Sequence, residues 1–262
     1  MHTAEAFKQF ERNHWKLTDV DFSAIRHDLI KPEHLSFAKG AVMGESNVIA
    51  AVHGYLNEFV DDFDFSTFAV IWGYQEIQHY LMFRCWLEAV GENVDEARVA
   101  SMRAPYDPSP TPSATLATNV ISELTVNHIY RRLAGAVQEP VLSTLLRNAS
   151  RDEAGHAREF IYFCRTRLAK HPEETASVLE TLYLYTSDRR IKHPVSVFKG
   201  GLAELQDHET VDTAFELFLG HVAATGELDV LQGKIRRVFG QIVDQDLSTM
   251  AKVRRALATV IA

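Results

Sequence analysis

Two Glu-x-x-His motifs, Glu76/His79 and Glu153/His156, constrain this chain more than any other feature. Residues three apart on a helix share a face, so both side chains of each motif can reach one point. Neither motif is informative alone. With 20 Glu and 12 His in the chain, chance supplies about one such pair. Glu11/His14 is a third match, but it lies near the N-terminus, outside any long helix, and reads as a surface pair. The larger spacing carries the signal. Glu45 precedes Glu76 by 31 residues (76 − 45), and Glu123 precedes Glu153 by 30 (153 − 123). Each unit is a lone Glu on one predicted helix followed by Glu-x-x-His on the next. Folding two such hairpins together gathers four carboxylates and two imidazoles around one point.

The rest of the sequence supplies helices for this arrangement. Apolar residues recur at three- and four-residue spacing and strand-like alternation is nearly absent, so the chain is expected to be all-α. Pro32 opens a first long helix over about Glu33 to Phe59. Asp61, Asp62 and Asp64 read as a solvated turn, after which Ser66 or Asp64 caps a second helix from about Thr67 to Val90, ending at Gly91. A short helix is expected over about Val94 to Met102. Pro105, Pro108, Pro110 and Pro112 then exclude helix. A third long helix runs from near Ser113 to about Val137, and a fourth from Pro140 to about Lys170, stopping before Pro172. Shorter helices follow at about 174–187, 209–224, 228–241 and 244–260, punctuated by Gly200-Gly201 and Gly226. Four long helices with one long connection between the second and third match a ferritin-like four-helix bundle. The core bundle is about 33–170, with a C-terminal helical extension over about 173–262, in one domain.

Composition narrows the function classes. The chain has 262 residues and a net charge of −8. No basic stretch offsets repulsion from phosphates, which argues against nucleic acid as a partner. No run approaches the roughly 18 apolar residues of a membrane span. The first sixteen residues lack the apolar run of a signal peptide. Cys85 and Cys164 have no CxxC partner and read as buried free thiols, which disfavours a thiolate zinc site. A soluble, cytoplasmic protein is expected.

The candidate ligands are Glu45, Glu76, His79, Glu123, Glu153 and His156. Two metal ions held close together repel, and bridging carboxylates neutralise them. An oxygen-rich, thiolate-free set suits iron or manganese better than copper or zinc. The surroundings are apolar: Ala41, Val42, Val48, Ile49 and Val52 around Glu45; Trp72, Tyr80 and Phe83 around the first motif; Phe160 and Phe163 after His156. A carboxylate in such surroundings needs a partner. Asp152 is the best candidate to hold His79 through its other ring nitrogen, the alternative being a solvated helix acid. Asn119 and Asn127, one turn either side of Glu123, and Thr125 nearby, read as exposed positions ahead of hydrogen-bonding ones.

These residues resemble the ferritin-like di-iron oxidases, above all soluble acyl-carrier-protein desaturases and ribonucleotide reductase small subunits with their oxidase relatives. The resemblance covers about Trp15 to Lys170. Arg151–His156, RDEAGH, looks like the D-E-x-x-H element of those families; Tyr74–Gly91 is similar to their second ligand helix. His14–Ser23, HWKLTDVDFS, looks like the element that carries an electron-transfer Trp. By that likeness Trp15, Asp152 and His79 form a route to one iron; the other reading of Trp15 is a bundle-capping aromatic. Phe83 stands where radical-bearing reductases have Tyr, Val126 where desaturases have Thr, and Ala149 where arylamine N-oxygenases have an extra His.

The resemblance implies a di-iron oxidoreductase with O2 as co-substrate, and manganese–iron as the other metal pair. Its substrate would be a free or carrier-bound acyl chain or a small biosynthetic intermediate. The reaction would be hydroxylation, desaturation or oxidative bond cleavage. A ferredoxin-type donor and a homodimer are further expectations. The alternative is ferritin-like iron storage without an organic substrate.

Overall fold

A computed structural model describes residues 1–102, 106, 108–187 and 226–261. Every regular element among them is helical. We label the α-helices α1 (His2–Asn13), α2 (Pro32–Glu45), α3 (Val48–Glu58), α4 (Phe63–Ala89), α5 (Glu96–Met102), α6 (Pro112–Ala136), α7 (Pro140–Lys170), α8 (Thr175–Ser187), α9 (Glu227–Ile242) and α10 (Met250–Ile261). The expected helix at 209–224 and the Gly200-Gly201 pair lie outside the described residues. None of these helices is long and apolar enough to cross a membrane.

The chain divides into two compact units. The first takes in described residues of Met1–Asp107 and Ile129–Asp152; the second, those of Pro108–His128, Glu153–Gly200 and Leu219–Ala262.

In the first unit α4 is the central element, with α1, α2 and α3 packed against it. Asp62 caps it by accepting from the Phe65 amide at 3.0 Å, ahead of the expected Asp64 or Ser66. Asp64 instead caps α1, accepting from the amides of His2 at 2.8 Å and Thr3 at 3.0 Å. Burial opposes the charge on Asp64, but these donors outweigh it and hold its carboxyl below the usual range. The far end of α4 closes as expected on Gly91, at φ +86°. The Glu92 amide reaches the Leu87 carbonyl at 2.9 Å and the Gly91 amide reaches Glu88 at 3.1 Å, the paired bonds of a Schellman motif. Between these caps α4 buries Phe65, Phe68, Trp72, Met82, Phe83 and Trp86.

The expected helix over Glu33 to Phe59 is two helices, α2 and α3, broken at Ser46 and Asn47. The cause is local. In an unbroken helix the Met43 carbonyl would accept from the Asn47 amide. Here it accepts from the Ser46 hydroxyl at 2.8 Å and the Asn47 side-chain amide at 3.1 Å. The Asn47 amide slips to Gly44 at 3.2 Å. Short polar side chains have displaced one rung of the ladder. The break falls immediately after Glu45.

Glu139 precedes α7 and is buried. Its carboxylate accepts from the Leu142 amide at 2.7 Å, the Val141 amide at 3.1 Å and the Trp86 indole N–H at 3.1 Å. This caps α7 and ties its start to α4.

In the second unit α8 packs against α9 and α10. The residues after Glu173 form α8 nearly as expected, and α10 begins at Met250, six residues later than expected (250 − 244). Glu174 accepts from Arg167 at 2.9 and 2.7 Å and from the Ser113 amide at 3.1 Å. Burial raises its pKa, but these donors prevail and bring it down to about 2. Of the two thiols, Cys164 is buried, and burial pushes it up to about 12. Cys85 is half-buried rather than buried as expected.

Candidate metal centre

The six candidate ligands sit on four helices: Glu45 at the end of α2, Glu76 and His79 mid-α4, Glu123 mid-α6, Glu153 and His156 mid-α7. All but Glu45 are buried, and Glu45 is half-buried. Glu76 and His79 face one way along α4, as their spacing of three requires. The His79 Nδ1 lies 3.2 Å from a Glu76 carboxylate oxygen. The His156 Nδ1 lies 3.4 Å from carboxylate oxygens of both Glu123 and Glu153.

These residues form two overlapping groups. Glu45, Glu76, His79 and Glu153 each offer a ligand atom, and these atoms lie within 4.8 Å of one another. Glu76, Glu123, Glu153 and His156 do the same. Glu76 and Glu153 belong to both. Each group therefore has one imidazole, one carboxylate of its own and two shared carboxylates. That is the donor arithmetic of two neighbouring cations, one nitrogen apiece, with negative charge between them to screen their repulsion. The set contains oxygen and nitrogen but no sulfur, which fits hard to borderline cations such as iron and manganese. The buried groups could hold a metal ion.

Asp152 is buried, not a solvated helix acid. One of its oxygens lies 3.2 Å from His79 Nε2 and accepts from the Trp15 indole N–H at 2.7 Å. Trp15 is held in turn by its carbonyl, which accepts from the Gln78 side chain at 2.8 Å. Gln78 precedes His79, so α4 positions both ends of the chain Trp15–Asp152–His79. Hydrogen bonding from a carboxylate to the far nitrogen of an imidazole fixes ring orientation.

Tyr130 was not singled out by the sequence. It is buried on α6, and its hydroxyl donates to the Glu45 carboxylate. Its ring packs edge-on to Phe37 at 6.1 Å and against Phe83 at 5.7 Å, with His79 at 6.5 Å. The one available signal was its position seven residues after Glu123 (130 − 123), two turns along the same face. Phe83, the departure from the tyrosine-bearing pattern, thus has a tyrosine from another helix beside it.

The asparagines beside Glu123 are buried rather than exposed. Asn119 turns back to donate to the Thr115 carbonyl at 2.8 Å, and Asn127 accepts from Lys234 at 3.4 Å. His128 pairs with Glu227 at 3.1 Å, so this stretch of α6 is tied to α9. Thr125 meets the Tyr185 hydroxyl at 2.8 Å, and burial pushes the Tyr185 phenol up to about 12. The decoy pair stays apart from the centre: Glu11 is exposed near the end of α1, and the His14 ring rests against Tyr74 at 5.8 Å.

No family model, curated protein or solved structure matches the chain. The reading of this centre rests on its own residues.

Proposed function

We propose that the chain is an O2-dependent di-iron oxidoreductase acting on an organic substrate, built on a ferritin-like four-helix arrangement. The observation that carries this reading is the pair of overlapping ligand groups sharing Glu76 and Glu153. Glu45, Glu76, His79 and Glu153 would hold one iron; Glu76, Glu123, Glu153 and His156 would hold the other. A manganese–iron pair has the same donor needs. When bound, such a pair supplies the electrons and the open coordination positions that O2 reduction needs.

The protein's own part follows from its contacts. Asp152 orients His79 and links it to Trp15, which is only half-buried. That chain gives electrons from a ferredoxin-type donor a hydrogen-bonded route inward. Tyr130 restrains Glu45 by occupying one of its oxygens. Phe83, Phe160 and Phe163 are buried and keep water from the centre. An apolar lining of this kind favours a substrate with a hydrocarbon portion, an acyl chain or a small biosynthetic intermediate. Hydroxylation, desaturation and oxidative cleavage are the reactions such a centre serves.

The test is anaerobic loading with Fe(II), followed by O2 and visible absorption. Two irons per chain and a transient band are expected. Two metals retained per chain after Glu76→Ala and Glu153→Ala together would sink the site assignment.

A further inference from the structure

The exposed charges of α7 are all of one sign. Its acids, Asp152, Glu153 and Glu159, are buried. Arg147, Arg151, Arg158, Arg165 and Lys170 are exposed. The chain as a whole carries a net charge of −8, so this face runs against it. Solvated helix faces mix signs, because an acid three or four residues from a base steadies the helix. None of the four arginines has an acid at that spacing in either direction, and Arg147 and Arg151 repel one another across one turn. The helix dipole favours the basic residues of the last turn, Arg167 and Lys170. Its effect falls off within that turn and does not account for Arg147, Arg151 or Arg158.

The arginines are also in line. Arg151, Arg158 and Arg165 recur every seven residues, and Arg147 stands one turn before the first. At about 100° per residue all four fall within about 40° of the helix circumference, along ~27 Å of its length. One unbroken helix sets that alignment. Arg158 pairs with Glu159 at 2.7 Å. Arg147 meets the Ser143 hydroxyl at 2.7 Å, and Arg151 meets the side-chain oxygen of Asn148, both neutral. Arg165 has no ion pair among the described residues. Three guanidinium charges therefore stand in a row without a carboxylate.

We propose that this face docks an acidic helix of a partner protein, laid along α7 with carboxylates at the same seven-residue interval. Charge complementarity of this kind steers encounter and fixes register. The interval points to a helix, because side chains of one helix meet a neighbouring helix every seven residues. Two other anions fit less well. A lipid surface needs apolar side chains beside the basic ones, and the other exposed positions between Arg147 and Arg165 are Ala154 and Tyr162. A nucleic acid is repelled by the acidic balance of the chain. His156 lies nine residues from Arg147 (156 − 147) and nine from Arg165 (165 − 156), half a circle round α7 from both. The docked helix would thus sit one helix thickness from the candidate ligands. The inference stands whether or not that centre holds metal.

The test is fluorescence anisotropy of a labelled helical peptide of about 28 residues, with glutamate at the first and fifth positions of each heptad, titrated with the full chain at low salt. Saturable binding is expected, with Kd of about 0.1 mM. It should weaken ~10-fold or more as the Debye length falls from about 10 Å at 0.1 M salt to about 3 Å at 1 M. Arg147→Glu, Arg151→Glu and Arg165→Glu together should weaken it ~10-fold or more, and the same three changed to Lys should keep it within about threefold. Arg158 is left in place because it pairs with the buried Glu159. A peptide with lysine in place of glutamate should bind the triple Glu variant and not the wild type. Circular dichroism checks that each variant stays helical. No saturable binding at low salt overturns the inference, and so does binding unchanged in the triple Glu variant. Phosphatidylserine-containing vesicles or duplex DNA held by the same arginines more tightly than the peptide would overturn it in favour of a general polyanion site.

Discussion

The His79 half of the centre and the His156 half use the same donors in different settings. His79 has a carboxylate close to each ring nitrogen, Glu76 at one and Asp152 at the other, and Asp152 leads on to the half-buried Trp15. The fourth member of that group, Glu45, is half-buried, ends its helix and is held by Tyr130. His156 faces Glu123 and Glu153 through one nitrogen, and the buried Phe160 and Phe163 follow it along α7. A near-repeat in sequence has thus produced an unequal pair. One half leads to a half-buried tryptophan and has a half-buried candidate ligand; the other is enclosed. Under the proposed function, electron entry would fall on the His79 side.

The largest expected effect tests the shared ligands. Glu76→Ala or Glu153→Ala should take metal content from two per chain to below one, because each loss touches both groups. Glu45→Ala or Glu123→Ala should remove one metal and leave the other. Elemental analysis after gel filtration reads the count; equal losses from all four variants would break the two-group description.

Asp152→Asn should lower metal affinity on the His79 side by roughly 10–100-fold, as loss of a partner to a ligand imidazole commonly does. Chelator competition should show one weakened metal and one unchanged. If both weaken alike, the two halves are not separable.

Trp15→Phe removes the indole donor but leaves the ligands. Metal content should stay at two, while reduction of the oxidised protein slows by about tenfold. Stopped-flow measurement with a chemical reductant and with a ferredoxin distinguishes a route from a packing role. Slowing with neither would remove Trp15 from the path.

The smallest effect is expected from Tyr130→Phe. It deletes one hydrogen bond to a carboxylate, worth about 1.5–3 kcal/mol in general, in a ring environment that otherwise stays packed. Cobalt(II) substituted for iron should bind in the same amount, with a changed visible spectrum as Glu45 gains freedom. An unchanged spectrum would show that Tyr130 does not restrain the ligand.

Much of this architecture was legible because its signals are local. Pro112 and Pro140 start α6 and α7, Gly91 stops α4, and the motif spacing put six residues on matching faces. The features missed are set by distant partners or by local competition. Asp64 looked like a cap for its own helix, but the amides of α1, some sixty residues earlier, claimed it. Tyr130 needed knowledge of which helix faces Glu45. Asn119 and Asn127 looked exposed because their partners, a carbonyl one turn back and Lys234, satisfy them inside. The break at Ser46 and Asn47 was visible as two short polar residues, but apolar periodicity on both sides masked it.

That break also bears on how the chain would answer a change of length. Ser46 and Asn47 keep right-handed helical dihedrals, and one rung shifts, from Met43 to Gly44. The rotational phase of α3 is therefore still set by α2. One residue added there would turn the buried side of α3 by about 100° relative to Glu45. The same addition between Glu76 and His79 would swing one of them by about the same angle around α4. The joint is a softened rung beside a candidate ligand, and lengthening it would cost the packing of α3 on α4.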